Sequence, residues 1–318
     1  MRSDTPPPFD AEVRRIAPEA DGVVSLTLAA IDGGEMPSWT PGAHVDLLLP
    51  NGIERQYSLC GDPRDRGSWR IGVLREPESR GGSAYVHASL AIGDRVRVRG
   101  PRNHFPLVEA PTYLLIAGGI GVTPLLPMVD ALAARGAEWR LLYGGRRASS
   151  MAFLRELEPH GGRVAIRPED LHGPLDISRA LAGTAGEVAV YCCGPEGLIA
   201  AVERVCEQIG RASLHVERFR PRPGASDGVA TAFDVVLANS GVTVHVGAEE
   251  SIVAALSRDG ITVPTSCLEG TCGTCETDVL EGVPDHRDSY LTEEERADNA
   301  TIMVCCSRAL TPRLVLDL

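Results

Sequence analysis

A chain of 318 residues with 43% hydrophobic and 23% charged residues has the balance of a folded globular protein and length for two or three domains. Its net charge of −12 argues against nucleic-acid binding, whose affinity depends on neutralising phosphate, and no apolar run approaches the roughly 20 residues that span a bilayer. The opening ten residues lack the apolar core of a secretory signal, so a cytoplasmic location and no membrane contact are expected; nine cysteines there point to metal ligation or catalysis before disulfides.

In chain order, residues 1–106 read as a first domain. Short stretches at 23–28, 45–49 and 96–98 alternate apolar and polar residues between Gly, Pro and Asp turns, the pattern of an antiparallel β-barrel or sandwich. Arg55-Gln56-Tyr57-Ser58 ends one strand and offers a charged fork, a ring face and a hydroxyl. Arg80-Gly81-Gly82-Ser83 precedes a helical stretch, where backbone N–H groups and the Ser83 hydroxyl can cradle an anion. The basic residues are all arginine, so a phosphate anchor must be Arg, a backbone nest or a hydroxyl.

Residues 107–219 change character. Buried-type strands at 113–117, 139–143 and 188–192 alternate with helical patterns at 124–135, 151–157 and 195–209, which predicts an α/β parallel sheet with crossovers and a last strand at 215–219. Gly118, Gly119 and Gly121 follow a hydrophobic strand, with Thr123 and Pro124 opening a helix. Glycines there let backbone approach a pyrophosphate at a helix N-terminus, although many α/β loops carry such a turn for geometry alone. Cys192-Cys193-Gly194-Pro195 ends a later strand, and no His base accompanies either thiol, so neither is a covalent nucleophile.

Residues 220–230 are rich in Pro, Gly and Ser and read as a linker. Residues 231–318 form a third domain, opening with two strands around Asn239-Ser240-Gly241 and a helix at 251–258. Here Cys267, Cys272 and Cys275 are followed by 29 residues and then Cys305. The C-x4-C-x2-C…C spacing is that of plant-type [2Fe-2S] ferredoxins. Gly270 and Gly273 between the ligands keep side chains off the cluster, and four thiolates select a soft metal. Zinc loops pair C-x2-C with a second such pair or with histidines and fit poorly; Cys306 is the rival fourth ligand. This segment has fifteen acidic and five basic residues and so carries ten of the twelve net negative charges, which suits a basic docking partner or simple solubility.

The third segment resembles the C-terminal ferredoxin domain of the phthalate dioxygenase reductase and vanillate O-demethylase reductase family, and the resemblance extends over essentially the whole chain. It implies a β-grasp ferredoxin domain behind a flavin β-barrel and a nicotinamide domain. Arg55-Gln56-Tyr57-Ser58 is similar to the R-x-Y-S flavin signature of the ferredoxin reductase superfamily. With Arg80, Gly81, Gly82 and Ser83 it implies FMN, with FAD the alternative, and backbone at Gly72, Val73 and Leu74 lying along the flavin edge. Cys193, Gly194 and Pro195 match the C-G-P element that sits beside the nicotinamide carbon during hydride transfer. Arg146, in Tyr143-Gly144-Gly145-Arg146-Arg147, falls where the family holds the adenosine ribose; no acid stands there, and NADH rather than NADPH rests on the family alone. Phe219 matches a family aromatic near the flavin, and a core Phe is its ordinary alternative.

Together these imply a monomeric reductase passing electrons from NADH through FMN to the [2Fe-2S] cluster, then to a Rieske non-haem iron oxygenase or demethylase. The chain has no Rieske Cys/His pairs of its own, and its length disfavours a self-sufficient oxygenase. A redox sensor or a general flavin reductase with another acceptor is the competing class.

Overall fold

A computed structural model describes residues 8–77, 81–184, 186–225 and 227–318. By contacts the chain divides into two compact units, and among the described residues the division falls between Glu217 and Arg218.

The first unit contains two sheets. Six antiparallel strands, β1 (Phe9–Ala20), β2 (Val23–Ala30), β3 (His44–Leu48), β4 (Glu54–Ser58), β5 (Trp69–Leu74) and β6 (Arg95–Arg102), lie in the order β4-β3-β6-β1-β2-β5. The two edge strands meet through a Leu59–Ile71 bridge, so the sheet curls into a barrel. Alternation along the strands sends Val13, Leu26, Leu28, Val45, Leu47, Ile71 and Val96 inward, as the period-2 pattern requires. One short helix, α1 (Gly82–Ala88), follows β5.

The second sheet is parallel, in the order β11-β10-β7-β8-β9, from β7 (Thr112–Gly118), β8 (Glu138–Gly145), β9 (Val164–Pro168), β10 (Val188–Cys193) and β11 (Ala212–Glu217). Both faces are covered, which explains near-continuous apolar runs such as the fully buried β10. On one face Leu114, Ile116, Val190 and Cys192 pack against helices α5 (Ile177–Ala182) and α6 (Glu196–Ile209). On the other, Tyr113, Leu115, Leu141 and Tyr191 share a core with α2 (Leu126–Ala134) and with Val23, Cys60 and Phe105 of the barrel segment. Two short helices, α3 (Leu154–Leu157) and α4 (Glu169–His172), complete the crossovers. Arg70 of β5 reaches Glu156 of α3 at 2.6 Å, a second tie between the two sheets.

Sequence periodicity and structure differ at three places here. The helix after the glycine turn begins at Leu126 rather than Pro124, because residues 119–122 form a 3₁₀ turn first. The last strand ends at Glu217, two residues short of Phe219. Strand β9 and helix α5 are too short, and β9 too exposed at the sheet edge, to have produced a periodic signal.

The second unit, described by itself, is a five-stranded mixed sheet in the order β13-β12-β18-β14-β16. It comprises β12 (Phe233–Leu237), β13 (Thr243–Val246), β14 (Glu276–Glu281), β16 (Thr301–Met303) and β18 (Arg313–Leu316), with the two-residue strands β15 (Pro284–Asp285) and β17 (Arg308–Ala309) paired separately. The β12–β13 hairpin turns at Gly241, whose φ of 69° needs glycine. Helix α7 (Ile252–Arg258) is capped by Ser251, whose Oγ accepts the Ala254 N–H at 3.1 Å. Helix α8 (Glu293–Asp298) carries a full capping box from Thr292 and Glu295. The central β12–β18 pair is parallel and its neighbours are antiparallel, a β-grasp arrangement.

Candidate functional site

In the first unit, the ends of strands from both sheets meet. Ser58 closes β4, and its Oγ donates to Glu217 Oε2 at 3.2 Å across 159 residues of sequence. Glu217 closes β11, directly paired with Cys193 at the end of β10. Cys193 is fully buried. Burial first, and the neighbouring Glu217 and Cys192 after it, push its thiol well above the usual range, so it is a neutral thiol at neutral pH. Burial also pushes the Glu217 carboxyl up to about 8, partly offset by the Ser58 hydroxyl.

Glycines fix the loops around this group. A Cβ on Gly121 would lie 2.5 Å from the Cys193 carbonyl carbon and 2.8 Å from Gly194 N. One on Gly118 would lie 2.6 Å from Pro195 Cδ, so the glycine turn and the Cys-Gly-Pro turn are in direct backbone contact. Thr123 is buried, its Oγ1 donating to Ile120 O at 2.9 Å. Its methyl would stand 2.8 Å from a Cβ on Gly72 of β5. Gly72, Thr123, Gly121, Cys193, Glu217 and Ser58 thus form one contiguous group. Gly121→Ala should cost about 1–3 kcal/mol of stability by overpacking and raise the KM for NADH several-fold, measurable by thermal unfolding and NADH–ferricyanide kinetics.

The flavin motifs also meet. Arg55 lies over Gly82, where a Cβ would fall 2.7 Å from its Cγ, and its Nη1 donates to Glu54 O at 2.7 Å. Gly81 has φ of 94°. Ser83 Oγ accepts the Glu76 N–H at 3.1 Å. Burial pushes the Tyr57 hydroxyl up to about 12, which keeps the ring neutral. Gln56 points elsewhere, its Nε2 donating to Asp46 at 3.1 Å. Val73 sends its side chain into the barrel core, and its carbonyl meets His87 Nε2 at 3.0 Å; Leu74 packs on the other core. Arg80 lies outside the described residues. A cradle that only glycine leaves open, with Arg55 above it, fits a flavin phosphate.

Arg146 is exposed just beyond β8, and its carbonyl accepts the Asp170 N–H of α4 at 3.2 Å. Glu169 and Asp170, which open α4 directly after β9, are thus brought beside Arg146 by a backbone hydrogen bond. Sequence reasoning missed these, and it passed over Glu217; an acid ending an otherwise apolar strand beside a Cys-Gly-Pro strand was the available signal. Phe219 falls in the second unit and is 43% exposed, so it is not a core residue.

In the second unit Cys272, Cys275 and Cys305 are buried and Cys267 is half-buried. Gly270 and Gly273 adopt φ of 71° and 72°. A Cβ on Gly270 would collide with Cys306 Sγ and lie 2.8 Å from Asp288 Cα, and one on Gly273 would strike the Tyr290 ring. The loop can therefore close only with glycine at both places. The N–H groups of Glu269 and Thr271 each point at Cys267 Sγ at 3.4 Å, the donor pattern that steadies a thiolate ligand. Cys306 turns its sulfur toward Met303 O and Ser307, and packs partly against the core. Among the described residues no three His, Cys, Asp or Glu side chains close on a single point for one ion. A two-iron cluster needs two cysteines at each iron, and the donor set and glycine-only turns fit it.

Residues 235–310 match the 2Fe-2S iron-sulfur cluster binding domain family. The whole chain is 44% identical to the phenoxybenzoate dioxygenase subunit beta of Ectopseudomonas oleovorans, covering 98% of each. It is 42% identical to the vanillate O-demethylase oxidoreductase of a Pseudomonas strain, covering 94% of this chain and 96% of that one. Phthalate dioxygenase reductase, solved as a modular structure for electron transfer from pyridine nucleotides to [2Fe-2S], superposes with a TM-score of 0.71 at 35% identity over 98% of both chains. Full-length CYP116B46 from Tepidiphilus thermophilus superposes with a TM-score of 0.85 at 40% identity over 98% of this chain, which spans 42% of that protein's length. No helix among the described residues is long and apolar enough to cross a membrane. The chain belongs to the phthalate dioxygenase reductase and vanillate O-demethylase reductase family, and is an NADH-dependent flavin and iron–sulfur oxidoreductase.

Proposed function

We propose that the chain is the reductase of a two-component Rieske oxygenase or demethylase system, with FMN held at Arg55, Tyr57, Ser58 and Gly81–Ser83 and NADH at Gly118–Thr123 and Cys193–Pro195. The Ser58–Glu217–Cys193 group carries this reading, because it joins the flavin strand to the nicotinamide strands. NADH supplies two electrons as hydride, a flavin takes them as a pair and gives them up singly, and the cluster takes one at a time. The residues supply position and electrostatics. Arg55 and the Gly81–Ser83 backbone anchor phosphate; Gly72 and Gly121 admit flat rings close to backbone. Neutral Cys193 and neutral Glu217 line the hydride path without a charge, and the full burial of Cys193 excludes water from it. Arg146 with Glu169 and Asp170 receives the adenosine ribose, the acids favouring a free 2′-hydroxyl over a phosphate. Cys267, Cys272, Cys275 and Cys305 hold the cluster. Phe219, two residues past Glu217, is the aromatic the family places near the flavin.

The experiment is anaerobic rapid mixing with NADH: flavin bleaching should precede cluster reduction, and a chain that binds both yet shows neither would be a sensor instead. The likeness to an intact self-sufficient cytochrome P450 monooxygenase, of which this chain spans 41%, favours a second reading, a haem oxygenase as acceptor. Product formation with a purified Rieske component, compared with a P450, separates the two.

The acidic lobe is the proposed docking face. Glu293 and Glu294 are exposed on α8 and leave the Thr292–Glu295 capping box untouched. Replacing both with Gln should slow acceptor reduction about threefold at low salt and flatten its ionic-strength dependence. An unchanged salt profile would place docking elsewhere.

A further inference from the structure

Against the cysteine loop of the second unit the fold encloses a charged side chain. Asp288 is buried, with its carboxylate fully covered. It packs directly on the loop: a Cβ on Gly270 would come 2.8 Å from Asp288 Cα and 3.0 Å from its Cβ. The next residue locks this contact, the Ser289 N–H donating to Gly270 O at 2.8 Å. The carboxylate then closes the turn that follows. Oδ2 accepts the N–H groups of Tyr290 at 3.0 Å and Leu291 at 2.8 Å. Oδ1 accepts the hydroxyl of Ser307, two residues past Cys305, at 3.5 Å. One formal cation answers it: Arg296 of α8, whose Nη2 stands 3.5 Å from Oδ2 and donates to Asp288 O at 2.6 Å. Among the described residues the other basic group in range is His286, 3.8 Å from Oδ1. Burial pushes that imidazole down, so it is neutral at neutral pH.

An asparagine would close the same turn, since its oxygen accepts the same two N–H groups without enclosing an ion. A buried ion pair is also weak support for stability. Turn geometry therefore explains the shape of residue 288 and leaves its charge without a structural reason. The pair is uneven as well. The carboxylate is covered and lies on Gly270, which stands between Cys267 and Cys272 in the chain, whereas the guanidinium is 23% exposed and better screened by water.

We infer that the Asp288 carboxylate lowers the midpoint potential of the cluster held by Cys267, Cys272, Cys275 and Cys305, and so makes it a stronger donor to the acceptor. The inference rests on the proposed cluster ligands and adds to them a positioning residue outside the ligand set. Reduction brings one electron to the site, one ferric iron becoming ferrous, with no bond made or broken. The added charge is negative, and an enclosed carboxylate packed on the ligand loop opposes it far more than one in water would.

The test is a mediated redox titration of the full-length holoprotein with dithionite, followed by the EPR signal of the reduced cluster. It compares wild type with Asp288→Asn and Arg296→Gln, and NADH takes no part in it. Asp288→Asn keeps the outline of the side chain and both N–H bonds, and its amide can donate to the Ser307 hydroxyl. At a fixed potential it should shift the ratio of reduced to oxidised cluster about tenfold upward, a rise of about 59 mV for a one-electron couple, with the g-values unchanged. Arg296→Gln removes the opposing charge and should move the ratio about threefold the other way. An unchanged or lowered potential in Asp288→Asn overturns the inference. So does a change in g-values, which would show the residue acting through the shape of the ligand loop. If Asp288→Asn fails to hold a cluster, Arg296→Gln decides: a lowered potential supports the inference, and a raised or unmoved one overturns it. A wild-type protein with no [2Fe-2S] signal after reduction would overturn the proposed ligands and this inference with them, a failure that shows before either variant is compared.

Discussion

Cys305→Ala should abolish electron exit while leaving NADH able to reduce the flavin. Cys305 is buried at the end of β16, among Val304, Met303 and Leu291 in the core of the second unit. Alanine there removes one of four thiolates from a site whose other ligands sit on a glycine-shaped loop that cannot shift to compensate. Changing even an outer partner of a metal ligand costs about 10–100-fold in affinity or activity; loss of a ligand should exceed that. The expected result is no [2Fe-2S] EPR signal, cytochrome c reduction down by about 100-fold or more, and ferricyanide reduction within about twofold of wild type, since ferricyanide can draw directly on the flavin. Cys306→Ala is the companion, because the neighbouring thiol is the one other candidate ligand by spacing. It should keep the cluster. A cluster retained by the Cys305 variant and lost by the Cys306 variant would reverse the assignment.

Glu217→Gln should change the pH response of the first unit. The folded carboxyl titrates near 8 and the unfolded one near 4.5. Below 4.5 both states are protonated and the group costs nothing. As pH rises toward 8 the unfolded chain ionises and the folded one does not, so stability drains away, and above about 8 the full penalty is present. Each tenfold difference in proton affinity between the two states is worth roughly 1.4 kcal/mol, so the penalty is a few kcal/mol. Glutamine keeps a hydrogen-bonding partner for Ser58 and cannot ionise. The variant should therefore lose most of the fall in Tm between pH 5 and 9, and melt several degrees above wild type at pH 9. Flavin reduction by NADH should lose its inflection near pH 8 as well. An inflection that survives the substitution would assign the titration to another group.

Much of this site was legible in the chain because it is local. The cysteine loop, the glycine turn, Cys-Gly-Pro and R-x-Y-S each announce themselves within nine residues, since each needs a particular backbone shape at one point. Glu217 was not legible: what makes it unusual is burial against Ser58, 159 residues away, and no local pattern encodes that. Asp170 escaped notice similarly, because its place beside Arg146 depends on the pairing of β8 with the weakly patterned β9. Gln56 shows the limit of reading a motif by sequence alone. It lies inside a functional motif, yet period-2 alternation turns it away from Arg55 and Tyr57 toward Asp46. At residues 220–230 Pro, Gly and Ser read as a linker, and local composition carries no sign of the hydrogen bonds on its backbone. Arg287 and Ser289, which bond Val229 O and the Arg222 N–H, come from some 60 residues downstream.

The pairing of β12 with β18 fixes an order of manufacture. Residues 234–237 find their central partner only in residues 313–316, after all four cysteines have been synthesised. On the ribosome the thiols therefore emerge before the sheet that shelters them can close, since Leu314 and Leu316 fill its middle. Pairing strands so far apart in sequence is slow. During that interval the cysteine loop is open to the machinery that delivers iron and sulfide, and equally to oxidants. Cluster insertion and the arrival of the last strand are thus in competition, and the yield of holoprotein should depend on which comes first.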